Sequence, residues 1–119
     1  MSIAIFQYNI GNDINLIKTD EIVFLRNNKR IIELYVWNRE TDTIILANKF
    51  YSIIKDALNQ LPACKFYRCE RSHIVNMDYI DQMESSAFIL VDANKSKVPI
   101  SRSRKSEARE VYDIYRTLA

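Results

Sequence analysis

At 119 residues, 48% of them hydrophobic and 27% charged, the chain has the size of one domain and enough apolar material for an ordinary core. No apolar run reaches the roughly 20 residues of a bilayer-spanning helix, and Met1 is not followed by a basic stretch and an apolar signal core. The expectation is a soluble, cytoplasmic protein with no direct membrane insertion, and a net charge of +2 excludes a strongly basic chain without saying where the charge sits.

Apolar, β-branched and aromatic residues alternate with polar ones over Ile3 to Tyr8, Ile14 to Lys18, Glu21 to Arg26, Ile31 to Trp37 and Thr43 to Leu46, which predicts five short strands in a meander. Gly11 is the one glycine and Pro62 and Pro99 are the two prolines, so the turns are expected to fall to Asn and Asp. Asn27-Asn28, Asn38, Asn48 and Asp92-Ala93-Asn94 stand where such turns are needed. From Asn48 the period changes: Phe50, Ile53, Ile54, Ala57, Leu58 and Leu61 share one face of a helix over about 49–60, capped by Asn48 and ended by Pro62. That stripe reads as core, and Lys49, Ser52, Lys55, Asp56 and Asn59 as its wetted side.

Beyond Pro62 a strand is expected at Phe66 to Arg68, a tight helical turn near Ser72 to Val75, and strands at Tyr79 to Met83, Ala87 to Val91 and Lys97 to Ile100. The last two form a hairpin across Asp92 to Ser96. A short C-terminal helix follows, with Ser103 as its cap and Ala108, Val111, Tyr115 and Leu118 on one face. There is no internal repeat, linker or low-complexity segment, and residues 1–119 read as one mainly β domain of short antiparallel sheets.

Catalysis finds little support. There is no glycine-rich phosphate loop, no nucleophile elbow and no His, Cys and carboxylate cluster. Ser72 beside His73 is the nearest approach to a nucleophile and base, but adjacent residues on a strand point apart, and His73 reads as a structural or partly exposed histidine. Cys64 and Cys69 with one histidine make neither a disulfide framework nor a four-ligand zinc site, so the expectation is no metal, no cofactor and two reduced thiols. A loop closed between the two on oxidation is the lesser alternative.

Charge distribution says more than net charge. Windows 26–30, 65–71 and 95–105 hold eleven of the 17 Lys and Arg against a single acid, Glu70. Such connections between strands suit a polyanion, and arginine can fork onto guanine or grip phosphate in a way lysine cannot. Arg30, Arg71, Arg102 and Arg104 are the candidates. Without an aromatic cluster for base stacking, duplex DNA fits better than a single strand.

The segment Phe66-x-Arg68-x-x-Arg71-Ser72-x-Ile74-Val75-Asn76, followed by Tyr79-Ile80, resembles the F-x-R-x-H-R-S-x-I-V-N signature of the LytTR (LytR/AgrA-type) DNA-binding domain family. Val98-Pro99-Ile100-Ser101-Arg102-Ser103-Arg104 is similar to that family's closing proline-valine-serine-arginine motif, and Asp20-Glu21-Ile22-Val23-Phe24-Leu25 to its early aspartate-isoleucine strand. The likeness covers about residues 14–112 and leaves residues 1–13 as an extra N-terminal strand, pairing within the chain or with a neighbour.

The resemblance implies an elongated LytTR-type fold and a bacterial, non-enzymatic transcription regulator, the output domain of a response regulator. Its basic loops would enter successive major grooves of promoter DNA, as a pair or homodimer on two direct repeats. Asn28, Lys29 and Arg30 fall on the family's first contact loop, either Lys29 or Arg30 taking the base-contacting place. Arg71 and Ser72 enter a groove from the second loop and Arg102 and Arg104 from the third, with Lys97 and Lys105 on phosphates. Arg68 stands open between phosphate contact and a structural ion pair, and Asn76 is read as holding local backbone. Glu70 replaces the family's frequent histidine and would either orient Arg71 or accept a hydrogen bond from a cytosine amine.

Many family members join this domain to a receiver or a membrane segment, so the chain is expected to be a domain of a longer regulator or a stand-alone one. A receiver domain or membrane inhibitor on another chain is a further expected partner. The alternatives are a protein-interaction module or antagonist of a related regulator, and an RNA-hairpin binder.

Overall fold

The computed structural model describes residues 4–118, so Ile3 of the first predicted strand lies outside the described residues. Strands β1 (Ile5–Ile10) and β2 (Asp13–Lys18) form an antiparallel hairpin, which settles the first strand's partner as within the chain. Gly11 turns it at φ 60°, a left-handed conformation that glycine takes at little cost.

A five-stranded antiparallel sheet follows, built from β3 (Ile22–Asn28), β4 (Ile31–Asn38), β5 (Thr43–Tyr51), β6 (Phe66–Glu70) and β7 (His73–Asn76) in the order β5-β4-β3-β7-β6. A smaller sheet of β8 (Ile80–Met83), β9 (Ala87–Leu90) and β10 (Lys97–Pro99) runs β10-β9-β8. Two helices complete it, α1 (Ile54–Asn59) and α2 (Lys105–Leu118). The longest dimension is 41 Å against 32 and 31 Å.

Both faces of the five-stranded sheet are covered, by two separate cores. Phe6, Leu25, Ile32, Leu34, Phe50, Ile54, Ala57 and Ile74 pack on the side of the β1–β2 hairpin and α1. Val23, Cys69, Val75, Phe88, Val98, Ala108 and Tyr112 pack on the side of the small sheet and α2. Ile74 and Val75 are neighbours on β7 and, pointing oppositely, serve one core each.

Several expectations are corrected. The predicted helix is only six residues long, because residues 43–51 stay extended along β4 with Ile31 opposite Tyr51. Asn48 caps nothing; it sits in β5 and its amide donates to the Tyr8 hydroxyl at 2.7 Å, and the short helix starts at Ile54 with Ile53 at the N-cap position and no side-chain cap. No helical turn forms at Ser72 to Val75, where β7 begins at His73; the 3-10 turn lies later, at Met77–Tyr79, and the Asn76 side chain accepts from its Asp78 N–H at 3.0 Å. Asn76 also donates to the Ile22 carbonyl at 2.9 Å, consistent with its structural reading. Of the expected turn residues Asn38 accepts from Glu40 N–H, but Asn27 and Asn28 close β3 and the turn itself is Lys29-Arg30. Ser103 lies inside a 3-10 turn at Arg102–Arg104 rather than capping α2, and Tyr112, not the largely exposed Leu118, fills the second core.

Candidate nucleic-acid interface

The β3–β4 turn is Lys29-Arg30 and the β6–β7 turn is Arg71-Ser72, each of two residues. Because β3 pairs with both β4 and β7, with Arg26 opposite His73, these turns leave the same end of the sheet. The Asn27 N–H donates to the Ser72 carbonyl at 2.7 Å and ties them together. The third basic segment arrives from β10 along the free edge of β6. There the Ser101 N–H donates to the Cys69 carbonyl at 2.9 Å, and Arg104 Nη1 to the Arg68 carbonyl at 3.0 Å. Three stretches far apart in sequence thus converge on the β6–β7 hairpin.

The basic side chains fall into two groups. Lys29, Arg30, Arg71, Arg102 and Lys105 are exposed and make no ion pair with the described residues. Lys29 holds φ 62°, a left-handed conformation that costs a non-glycine residue on the order of 1 kcal/mol and turns the chain sharply. Asn28 is exposed beside it, and Ser72 is half-buried. The other group is engaged within the chain. Arg68 Nε and Nη2 both donate to the Arg71 carbonyl, at 3.2 and 2.7 Å, and Arg104 lies 3.7 Å from Glu107 besides holding the Arg68 carbonyl. Lys97 pairs with Glu84 at 2.8 Å on the small sheet, Lys95 with Asp81 at 3.3 Å, and Arg26 with Glu33 at 3.5 Å.

Lys65 leaves the basic cluster altogether. It precedes β6 at the end opposite the Arg71-Ser72 turn and pairs with Asp78 at 3.2 Å and Asp20 at 3.5 Å, which raises its pKa. The sequence windows therefore overstate the positive patch, since extended strands carry neighbouring residues to opposite ends of a hairpin.

Glu70 turns inward. Its Oε1 accepts from the Ser72 N–H at 2.8 Å and from His73 Nδ1 at 2.8 Å; an ionised carboxylate only accepts, so Nδ1 carries the proton. Partial burial pushes the Glu70 carboxyl up, but the His73 and Ser72 hydrogen bonds and the charges of His73 and Arg71 outweigh it and hold its pKa below the ordinary value. This pairing was not visible in the sequence, although glutamate two residues before an amide it accepts from is a local signal. Two buried side-chain oxygens, Asn27 Oδ1 and Ser101 Oγ, have no partner among the described residues, and both belong to the stretches that hold the basic turns.

Among the described residues no three His, Cys, Asp or Glu side chains come together, and no helix is long and apolar enough to cross a membrane. Cys64 is exposed and Cys69 buried, both free thiols, and burial pushes the Cys69 thiol up to about 12.

Residues 12–113 match the model of the LytTr DNA-binding domain family, close to the span expected from the motifs. Sensory transduction protein LytT of Bacillus subtilis (strain 168) is 23% identical over an alignment 112 positions long that covers 89% of this chain and 42% of that protein, so the chain spans less than half of that relative. A solved LytTr DNA-binding domain from Bacillus cereus superposes with a TM-score of 0.65 at 22% identity, over 92% of this chain and 97% of the other.

Proposed function

The chain belongs to the LytTr DNA-binding domain family, and from that premise we propose that it is a sequence-specific duplex DNA-binding module of a transcription regulator. Its three basic turns enter successive major grooves, in pairs of molecules on direct repeats. The observation that carries this reading is the set of five unpaired cations, Lys29, Arg30, Arg71, Arg102 and Lys105, on connections that meet around one hairpin. Cations left without carboxylate partners have solvent or a polyanion as their remaining acceptors. Arg30, Arg71 and Arg102 take base edges, Ser72 and Asn28 supply shorter polar contacts, and Lys29 and Lys105 take phosphates.

The test is selection of random duplex DNA by the purified chain at moderate salt, followed by a salt series on the winning duplex. Enrichment of two short repeats about 34 Å apart, one helical turn, with affinity falling steeply as salt rises, is the expected result. A folded chain that enriches nothing, and instead forms a salt-insensitive complex with a protein partner, overturns the reading in favour of an interaction module.

A further inference from the structure

We propose that Glu70 and Arg68 are positioning residues that clamp the Arg71-Ser72 turn in its DNA-entering shape, and that neither touches a base or a phosphate. The inference rests on the DNA-binding reading and specifies how that site is built.

A two-residue β-hairpin normally uses turns with positive φ at the first or at both central positions, because those twists match the strands. Among the described non-glycine residues only Lys29, Asp42 and Lys95 have positive φ, so Arg71 and Ser72 both lie at negative φ. Such a turn joins its strands with a poorly matched twist and needs other support. The ladder supplies little of it, since the β6–β7 register shifts between Tyr67 and Glu70 and leaves Glu70 opposite His73 as the closing pair.

Side chains supply the rest. Arg68 closes two hydrogen bonds onto the Arg71 carbonyl, and Glu70 takes the Ser72 N–H. With the Ser72 carbonyl held by Asn27, three of the four backbone polar groups of the turn are satisfied by named partners. Among the described residues, what the tip leaves free is the Arg71 N–H and guanidinium and the Ser72 hydroxyl.

The same contacts answer the electrostatic objection to a carboxylate in a DNA-facing loop. Glu70 Oε1 is engaged by His73 Nδ1 across the hairpin and by the Ser72 N–H, so the carboxylate finds its hydrogen-bond donors within the chain. Arg68 spends its fork on a carbonyl and accepts Arg104 on its own carbonyl, which runs one line of hydrogen bonds from the third basic segment through β6 to the turn.

The experiment compares the whole chain with Glu70→Ala, Glu70→Gln, Arg68→Ala and Arg68→Lys. Ser72 amide hydrogen exchange is measured without DNA, and binding across a salt series to the best duplex that the wild type selects. Glu70→Ala should speed Ser72 exchange and weaken binding about tenfold at every salt concentration, with the salt slope and the base preference at each position unchanged. Glu70→Gln, which keeps an acceptor oxygen, should recover most of both. Arg68→Ala should weaken binding without changing the slope, and Arg68→Lys, lacking the fork, should not rescue it.

Unchanged Ser72 exchange in Glu70→Ala overturns the clamp, as does tighter binding by that variant or an altered preference at one base. A salt slope lowered by about one in Arg68→Ala overturns it too, because Arg68 would then hold a phosphate. If the wild type selects no duplex, the DNA reading fails, while Ser72 exchange still decides whether the clamp exists.

Discussion

Asn27 donates its backbone N–H to the Ser72 carbonyl at 2.7 Å, and this bond locks two basic turns separated by some forty residues of sequence into one surface. The turns cannot move independently while β3 pairs with β7, and β7 is anchored by Ile74 in one core and Val75 in the other. Rigid presentation lowers the ordering cost of binding, so on the proposed reading the unpaired arginines would meet DNA with little backbone rearrangement.

The free and engaged arginines should differ on DNA. Arg71→Ala and Arg102→Ala should each cost about 1–3 kcal/mol on the preferred duplex and relax selection at one base position. Arg104→Ala should lower affinity without relaxing any one position, because its guanidinium holds the Arg68 carbonyl. Repeating duplex selection with each variant separates the two behaviours, and full retention of affinity by both Arg71→Ala and Arg102→Ala would remove them from the interface.

Lys105 and Lys97 make a second contrast. Lys105 is unpaired at the start of α2, next to Arg102, whereas Lys97 is paired with Glu84 on the small sheet. Lys105→Ala should weaken all duplexes alike and reduce the salt slope by about one, the signature of a lost phosphate contact. Lys97→Ala should change the slope less, because its charge is already matched within the chain.

The core that carries the turns is sensitive to single changes. Ile74 is fully buried, so Ile74→Ala should destabilise the fold by about 2–5 kcal/mol, by loss of transfer free energy and a residual cavity. Asn76→Ala leaves the Ile22 carbonyl and the Asp78 N–H without their partner, at about 1–3 kcal/mol for each group that stays buried. Urea unfolding reads both; a loss of unfolding free energy in either variant smaller than about 0.5 kcal/mol would contradict the packing described.

Why some of this was legible in the sequence, and some not, follows from what each residue's role depends on. The outer strands announce themselves by alternation, because each has one wet face. β7 does not: both faces of its sheet are covered, so Ile74 and Val75 are both apolar and the period of two disappears. Phe50 satisfies a strand pattern running back through β5 and a helix pattern running forward to Ala57, and only long-range pairing with Ile32 decides for the strand. The arginine-bearing turns were visible as local motifs. The engagement of Arg104 with Arg68, 36 residues away, and of Lys65 with Asp20 depends on the fold and leaves no local trace.

The two thiols should react at very different rates. Cys64 is exposed, while the buried Cys69 has its thiol pushed up to about 12, so almost no nucleophilic thiolate forms there at neutral pH. A thiol reagent at pH 7.5 should label one cysteine per native chain and two in denaturant, and mass mapping should place the native label on Cys64. Rapid native labelling of Cys69 would mean that the second core opens far more readily than its packing implies.

Acid should weaken the turn only when pH falls into the carboxylate range, well below neutral. Glu70 has a folded pKa below that of an unfolded glutamate, which is about 4.3. The folded state therefore binds fewer protons than the unfolded state in this window, and stability rises with pH through it. The contribution of Glu70 is complete above the unfolded value and disappears as pH falls through the folded one. The groups facing its carboxylate are His73, the Ser72 N–H and Arg71, and all of them favour the ionised form. Glu70→Gln cannot titrate, so its stability should fall less steeply than the wild type's below about pH 5. Denaturant midpoints at pH 7 and at pH 4 for the two proteins test this; parallel losses would mean that Glu70 is no more easily ionised in the folded chain than in the unfolded one.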